Sequence, residues 1–373
     1  MVGFGIGLVL ILCSIWILLR SGYLVEIHPP LDNHRPAEKA SKPRNDLIDE
    51  LEKHVKMLAE NIGPRSYLTP LKLNEAADYV EKRFQEIHTS QPKSAKVESF
   101  NVEVREVISR GRDCYGRSRS DDLTNIEKPR ETKVRNIELE IRGENKDAEV
   151  IVIGAHYDSD GFESGGCNPG ADDNATGVAA LIELAKMLKS KKLPRTLRFV
   201  AFTNEEEPFF ATKWMGSYQY AKNRKGSVKA MLSLETMGYF TDKPKSQKFL
   251  DWRWFDKLLR VPDRGNFIAF VANWQSAPLM RHSLAWFRDS NKTFPSAGIV
   301  TFGFTPGVFW SDHWSYWQVG LPAIMVTDTA KRRNPCYHEP CDIPGIVDYE
   351  GLAHVVEGLA NVVESLANPS KWP

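Results

Sequence analysis

Residues 199–208 run from four side chains suited to a buried strand straight into three adjacent carboxylates, Glu205, Glu206 and Glu207, before Pro208 ends any ladder pairing. Neighbouring carboxylates repel, and each stays ionised only when it is solvated or a cation sits among them. A solvated acidic turn is the ordinary outcome of such a run. Its place here, at the carboxyl end of an apolar stretch, is where open α/β sheets hold ligands. Similar residues recur along the chain. Ala155-His156-Tyr157-Asp158 follows the apolar residues 150–154, and Asp172 and Asp173 lie in a glycine-flanked loop that opens an alanine- and leucine-rich segment. Glu235 ends the apolar residues 230–234, and His338 sits between Cys336 and Cys341. Neutral imidazole with carboxylate is the ligand set of hydrolytic zinc sites, which keep a position open for water. Two histidines with several carboxylates exceed the needs of one zinc and suit two metals that share a bridging carboxylate. A structural His–Asp hydrogen bond is the alternative for either histidine alone. Recurrence at successive strand ends favours one shared site.

The elements that must position these residues follow from periodicity. Apolar residues at Leu47, Leu51, Val55 and Leu58, and at Ala76, Val80, Phe84 and Ile87, predict two amphipathic helices. Residues 100–108 and 134–141 read as strands of an edge meander, with a polar surface loop at 111–131. Strands at 150–154, 196–202 and 230–234 alternate with helices at 176–188 and 214–222, the pattern of a parallel sheet with right-handed crossovers. A helix at 274–287, a buried strand at 323–326 and a terminal helix at 349–366 complete the expectation. There is no internal repeat, so one domain is expected from Asn45 onward.

A chain of 373 residues with a formal net charge of +1 and no basic patch interleaved with aromatics gives no footprint for nucleic acid. Five cysteines are too few for a disulfide scaffold, although Cys336 and Cys341 are close enough to bridge in an oxidising compartment. Residues 2–19 carry no charge and are long enough to cross a bilayer. A cleaved signal peptide is the alternative, weakened by the missing basic n-region and the lack of a small-x-small site before Arg20. The expected organisation is a single-pass transmembrane anchor at 1–20, an extended proline-containing tether at 21–44 and a catalytic domain at 45–373. Arg20, Arg35, Lys39, Lys42 and Arg44 follow the span, which by the positive-inside rule points to a cytoplasmic body. Folded domains translocate despite such a bias, and extracytoplasmic placement is the preferred expectation.

Ala155-His156-Tyr157-Asp158-Ser159, residues 170–177, Asn204-Glu205-Glu206, residues 234–239 and Tyr337-His338 resemble the M28 peptidases, zinc aminopeptidases of the phosphorylase/hydrolase-like fold. Ser311-Asp312-His313 with residues 320–323 matches a further family segment, and the resemblance extends from about Asn45 to the end. It implies a three-layer α/β/α domain around a mixed, mainly parallel sheet. It also implies two Zn2+ per chain, bridged by Asp173, one held by His156 and Glu235 and the other by Glu206 and His338. Glu205 is then the general base, and Asp158 an acceptor for the His156 imidazole N–H or a solvent-exposed loop residue. Asp312 and His313 line the pocket or stand behind a ligand, or else cap a helix and lie at the surface. Phe209, Phe210, Trp310, Trp314 and Trp317 form an apolar substrate pocket or belong to the core. Two departures stand out: Glu235 where aspartate is frequent, and extra residues at 207–211 beside the base. The implied activity is that of an exopeptidase, an aminopeptidase that hydrolyses N-terminal peptide bonds with a metal-activated water. The alternatives are a single-zinc aminoacyl transferase resembling glutaminyl cyclases, and a binding domain without catalysis on the same scaffold.

Overall fold

The continuous apolar run Val150–His156 becomes a strand whose seven residues are all buried, which requires helices on both of its faces. The computed structural model describes residues 26–28, 43–90, 95–102, 134–145, 149–161, 163, 167–223, 226–248, 262–292 and 294–373. One sheet holds β1 (Glu26–His28), β2 (Ala95–Val102), β3 (Val134–Ile141), β4 (Val150–His156), β5 (Thr196–Phe202), β6 (Val228–Glu235), β7 (Ile268–Asn273), β8 (Ser296–Thr301) and β9 (Ala323–Thr327). Their order across the sheet is β1-β8-β7-β9-β6-β4-β5-β3-β2.

β4 pairs in parallel with β5 and β6, and β6 with β9, so these four strands raise their carboxyl ends at one edge. β7 and β8 are parallel to each other but antiparallel to β9. β1, β2 and β3 are added antiparallel. With four parallel and four antiparallel pairings, the sheet is mixed and not mainly parallel as expected. Two of the antiparallel pairings involve β7 and β8, six-residue strands that were not among those expected.

Helices α1 (Asn45–Lys56), α2 (Pro70–Thr89), α3 (Gly177–Leu188), α5 (Ala277–Ser290) and α7 (Tyr349–Leu366) pack their apolar stripes on one face. Leu51, Val80, Phe84, Leu181, Phe287 and Val356 there meet Ile151, Ile153, Phe199 and Leu232 from the strands. On the other face α4 (Gly216–Asn223) and α6 (His313–Gln318) bring Tyr220 and Tyr316 against Val152, Val200, Phe202 and Met231. The three-layer expectation therefore holds.

The strands at 134–141 and 196–202 and the helix at 349–366 have the expected bounds. The strand expected at 100–108 is Ala95–Val102, while residues 103–108 and the loop 111–131 lie outside the described residues. The anchor at 1–20 also lies outside them, and among the described residues no helix is long and apolar enough to cross a membrane. The tether at 21–44 needs correction, because within it Glu26–His28 is paired into the sheet beside β8. Arg281 of α5 fixes this strand through paired donors to the Glu26 carboxylate.

Candidate metal centre and active site

Three parallel strands deliver the first functional side chains. β4 ends on His156 and β6 on Glu235, and the chain leaving β5 turns through Asn204, at φ 57°, into Glu205 and Glu206. Asp173 comes from the irregular turn Ala171–Thr176 ahead of α3, and His338 from the segment after β9. Gly170 sits at φ 61°, and a Cβ there would fall 2.3 Å from the Asp173 carbonyl oxygen. At Gly177 a Cβ would lie 2.6 Å from the Leu234 carbonyl, so glycine lets the Asp173 turn approach β6. Asn174 then stitches turn to strand, donating to the Leu234 carbonyl at 2.8 Å and accepting from Thr236 N at 3.1 Å.

The side chains converge in two groups that share Asp173. His156 Nε2 lies 3.4 Å from Asp173 Oδ1 and 3.2 Å from Glu235 Oε2. His338 Nε2 lies 3.2 Å from Asp173 Oδ2 and 3.2 Å from Glu206 Oε2. Both Nε2 atoms, both Asp173 oxygens and Glu206 Oε1 are buried without a hydrogen-bond partner, whereas buried polar atoms are ordinarily paired. Zinc–ligand bonds of about 2.0–2.2 Å at tetrahedral angles put neighbouring donors about 3.4 Å apart. The residues therefore fit two ions, each held by one imidazole, one terminal carboxylate and one oxygen of Asp173. His156, Asp173 and Glu206 also form a compact donor group by themselves.

Electrostatics lead to the same requirement for a cation. Burial lifts Glu206 to about 8, with the charge of Asp173 adding to it and His338 opposing. Glu205 and Glu235 are raised as well, by burial first and by neighbouring carboxylates after it. Asp173, which burial would raise, is held below the usual carboxylate range by His156 and His338. Burial works against charge on both histidines, yet the surrounding carboxylates outweigh it and raise them. More carboxylates than imidazoles share this volume, and a bound cation resolves the excess.

Glu205 lies in the same cluster, its Oε2 3.8 Å from His156 Nε2. Asp158 is buried, which removes the solvent-exposed alternative, but its carboxylate does something other than expected. Its two oxygens accept from the backbone N–H groups of Glu205 at 3.3 Å and Glu206 at 3.2 Å, fixing the acidic turn. The His156 Nδ1 contact is to the Asp158 backbone carbonyl, at 3.2 Å, with the carboxylate at 3.7 Å. Asp312 is fully buried and lifted by burial to about 7. It makes no side-chain capping bond to α6.

His313 is buried, not at the surface, and its known contacts brace the loop before α6. Nε2 donates to the Val308 carbonyl at 2.7 Å, and the ring meets Trp317 edge-on at 4.5 Å. Burial holds this histidine near 4, below its usual range. The unfolded chain therefore takes up the proton first, and stability is lost as pH falls from about 6.5 towards 4. Between pH 7.5 and 5 the loss from this group is about 2 kcal/mol. Denaturant unfolding of the parent and of His313→Gln checks this, with a flatter pH dependence expected in the variant.

The expected aromatic pocket divides. Phe210, four residues after Glu206, stacks on Phe309, which meets Trp310 edge-on next to Ser311 in sequence. Trp317 instead packs against the core and donates to the Ala323 carbonyl. Phe209 is buried against Tyr67, and Trp314 lies beside Tyr218.

Among the supporting residues, Asp342 and Arg65 had no sequence signal, Ser311 fell in a family-like segment, and the bridge that the spacing of Cys336 and Cys341 allows is formed. Ser311 donates to Glu235 Oε2 at 2.7 Å. Asp342 accepts from Asp172 N at 2.8 Å and Asp173 N at 3.1 Å, while Asp172 itself accepts from Gly238 N and Asn334. The Cys336–Cys341 disulfide encloses His338. Arg65 is wholly buried and donates to the carbonyls of Tyr157, Pro169 and Gly170, joining the His156 strand end to the Asp173 loop. A lone arginine after Gly63-Pro64 carries no spacing that marks such a role. Arg65→Met strands these carbonyls and is expected to cost at least about 3 kcal/mol. Chemical denaturation checks it, and an unchanged midpoint would contradict the clamp.

The chain matches the model of Peptidase family M28 over residues 136–363 and belongs to that family. It is 34% identical to the uncharacterized protein YfbL of Escherichia coli K12 over 330 residues, covering 85% of this chain and 88% of that protein. Its fold is similar to that of BSAP, a zinc aminopeptidase from Bacillus subtilis, with a TM-score of 0.61, 16% identity and coverage of 87% and 96% of the two chains. It is also similar to a glutaminyl cyclase from Porphyromonas gingivalis, with a TM-score of 0.57, 17% identity and coverage of 86% and 99%.

Proposed function

We propose that this chain is a two-zinc aminopeptidase, held at a membrane by its N-terminal apolar segment. The observation that carries the reading is Asp173, which presents one unpartnered oxygen to each of two imidazole–carboxylate pairs. His156 and Glu235 would hold one zinc and His338 and Glu206 the other, with Asp173 binding both. Bound zinc would supply Lewis acidity to the scissile carbonyl and would lower the pKa of a water. Glu205 is left free of the ligand sets. It takes a proton from the attacking water and returns it to the departing amine. Asp158 aims it by fixing the backbone N–H groups of Glu205 and Glu206. Phe210, Phe309 and Trp310 offer an apolar surface for a substrate side chain.

The fold is shared with both an aminopeptidase and a glutaminyl cyclase, so fold alone does not choose between them. Both histidines converge on Asp173, which supports two metals over one, and the intact donor set with Glu205 beside it supports catalysis over binding alone. The Cys336–Cys341 disulfide supports an oxidising compartment for the catalytic domain. The test is a set of matched peptides incubated with the zinc-loaded chain. Release of the first amino acid from free peptides, with N-acetylated ones left intact, is the expected result. Ammonia release with pyroglutamate formation from glutamine-initiated peptides would support the cyclase reading, and no turnover of any peptide would support the binding domain.

A further inference from the structure

Phe302 and Phe304 are exposed by 38% and 76% and stack with ring centroids 5.2 Å apart, directly after the last residue of β8. β7 and β8 run opposite to β9 and hence to β4 and β6, so the carboxyl end of β8 lies at the sheet edge away from His156 and Glu235. Gly303 lies close to Asn273, the last residue of β7, which keeps the aromatic pair at that edge. β1 is antiparallel to β8, with Glu26 opposite Val300 and His28 opposite Gly298, so the amino end of β1 reaches the same edge. In sequence, Leu19, the last residue of the uncharged apolar run, precedes Glu26 by only seven residues. Seven residues span at most about 25 Å.

We infer that Phe302 and Phe304 form a membrane-seating face, resting in the lipid interface beside the N-terminal span while the catalytic site points away from the bilayer. The occupant is a lipid bilayer because the chain itself brings one there: a bilayer-length apolar run ends within about 25 Å of this edge. A stacked aromatic pair exposed to water is suited to the boundary of headgroups and acyl chains. The other two large apolar side chains exposed among the described residues, Leu71 and Ile343, stand singly on segments other than this edge loop. Strands of six or seven residues, at about 3.3 Å each, put roughly 20 Å of sheet between the lipid-facing edge and the metal centre. The substrates selected by this geometry are water-soluble peptides, not amino termini buried in the membrane. The inference rests on the N-terminal run being a membrane anchor.

The full chain, reconstituted in vesicles of phosphatidylcholine and phosphatidylglycerol that contain a diazirine-bearing lipid, tests it. After flotation and irradiation, lipid adducts are expected on the peptide carrying Phe302 and Phe304 and not on peptides carrying Leu71 or Ile343. The Phe302→Ser/Phe304→Ser double variant should lose at least about ten-fold in adducts at this loop and still float. A chain that does not float overturns the anchor and the seating face together. A chain that floats without adducts at 302–304, or with adducts at Leu71 or Ile343, overturns the seating face alone.

Discussion

Glu205→Gln is expected to bind as much zinc as the parent and to lose about 10²- to 10⁴-fold in kcat. The substitution keeps the size of the side chain and its place in the turn, which Asp158 holds through the two backbone N–H groups. What it removes is an oxygen that can take a proton. Burial and the charges of Glu235 and Glu206 raise this carboxyl, and a raised base holds a proton well enough to deliver it to a leaving amine. Steady-state hydrolysis of an aminoacyl anilide, with metal analysis of the same sample, reads both quantities. Retained turnover would remove Glu205 as the base, and lost zinc would move it among the ligands.

Asp173→Ala is expected to have the largest effect on metal. It takes one donor from each of the two groups at once, since its oxygens lie 3.4 Å from His156 Nε2 and 3.2 Å from His338 Nε2. Each group then keeps two protein ligands, fewer than the three typical of catalytic zinc sites. Zinc should fall well below that of the parent, and peptidase activity to background. Stability gives a second readout. Zinc added to the metal-free parent should raise the melting temperature, because it binds the folded state and relieves the carboxylate repulsion. The variant should respond little, and an equal response in both would show that Asp173 is not shared between two ions.

Much of the candidate site's placement was legible because strand ends advertise themselves. His156 and Glu235 terminate buried strands, and Glu205 and Glu206 follow another within four residues. Period and composition locate such strands, and a ligand-type residue at their ends stands out against apolar neighbours. Less legible were the residues whose roles depend on contacts between distant segments. Arg65 reaches Tyr157 and Gly170, and Asp342 reaches Asp172 and Asp173, across more than ninety positions, and no local pattern encodes either pairing. Asp158 shows a subtler difference. Its neighbourhood to His156 follows from alternation along a strand, but its choice of the Glu205 and Glu206 amides depends on how the next strand turns. In the fold, β7 and β8 were not anticipated; β8, Ser-Ala-Gly-Ile-Val-Thr, mixes small and β-branched residues without a period, whereas β7 is a short apolar run of the kind read elsewhere as a buried strand. β1 was hidden because three residues amid prolines read as linker, and its partner β8 lies about 270 positions away in sequence.

If Asp173 is shared between two zinc ions, the full chain binds two. Metal analysis of the purified full chain, saturated with zinc and freed of excess, tests it most directly. Two zinc ions per chain are expected, falling to one in His338→Ala. A single zinc in the parent, or a count unchanged by loss of His338, would contradict it.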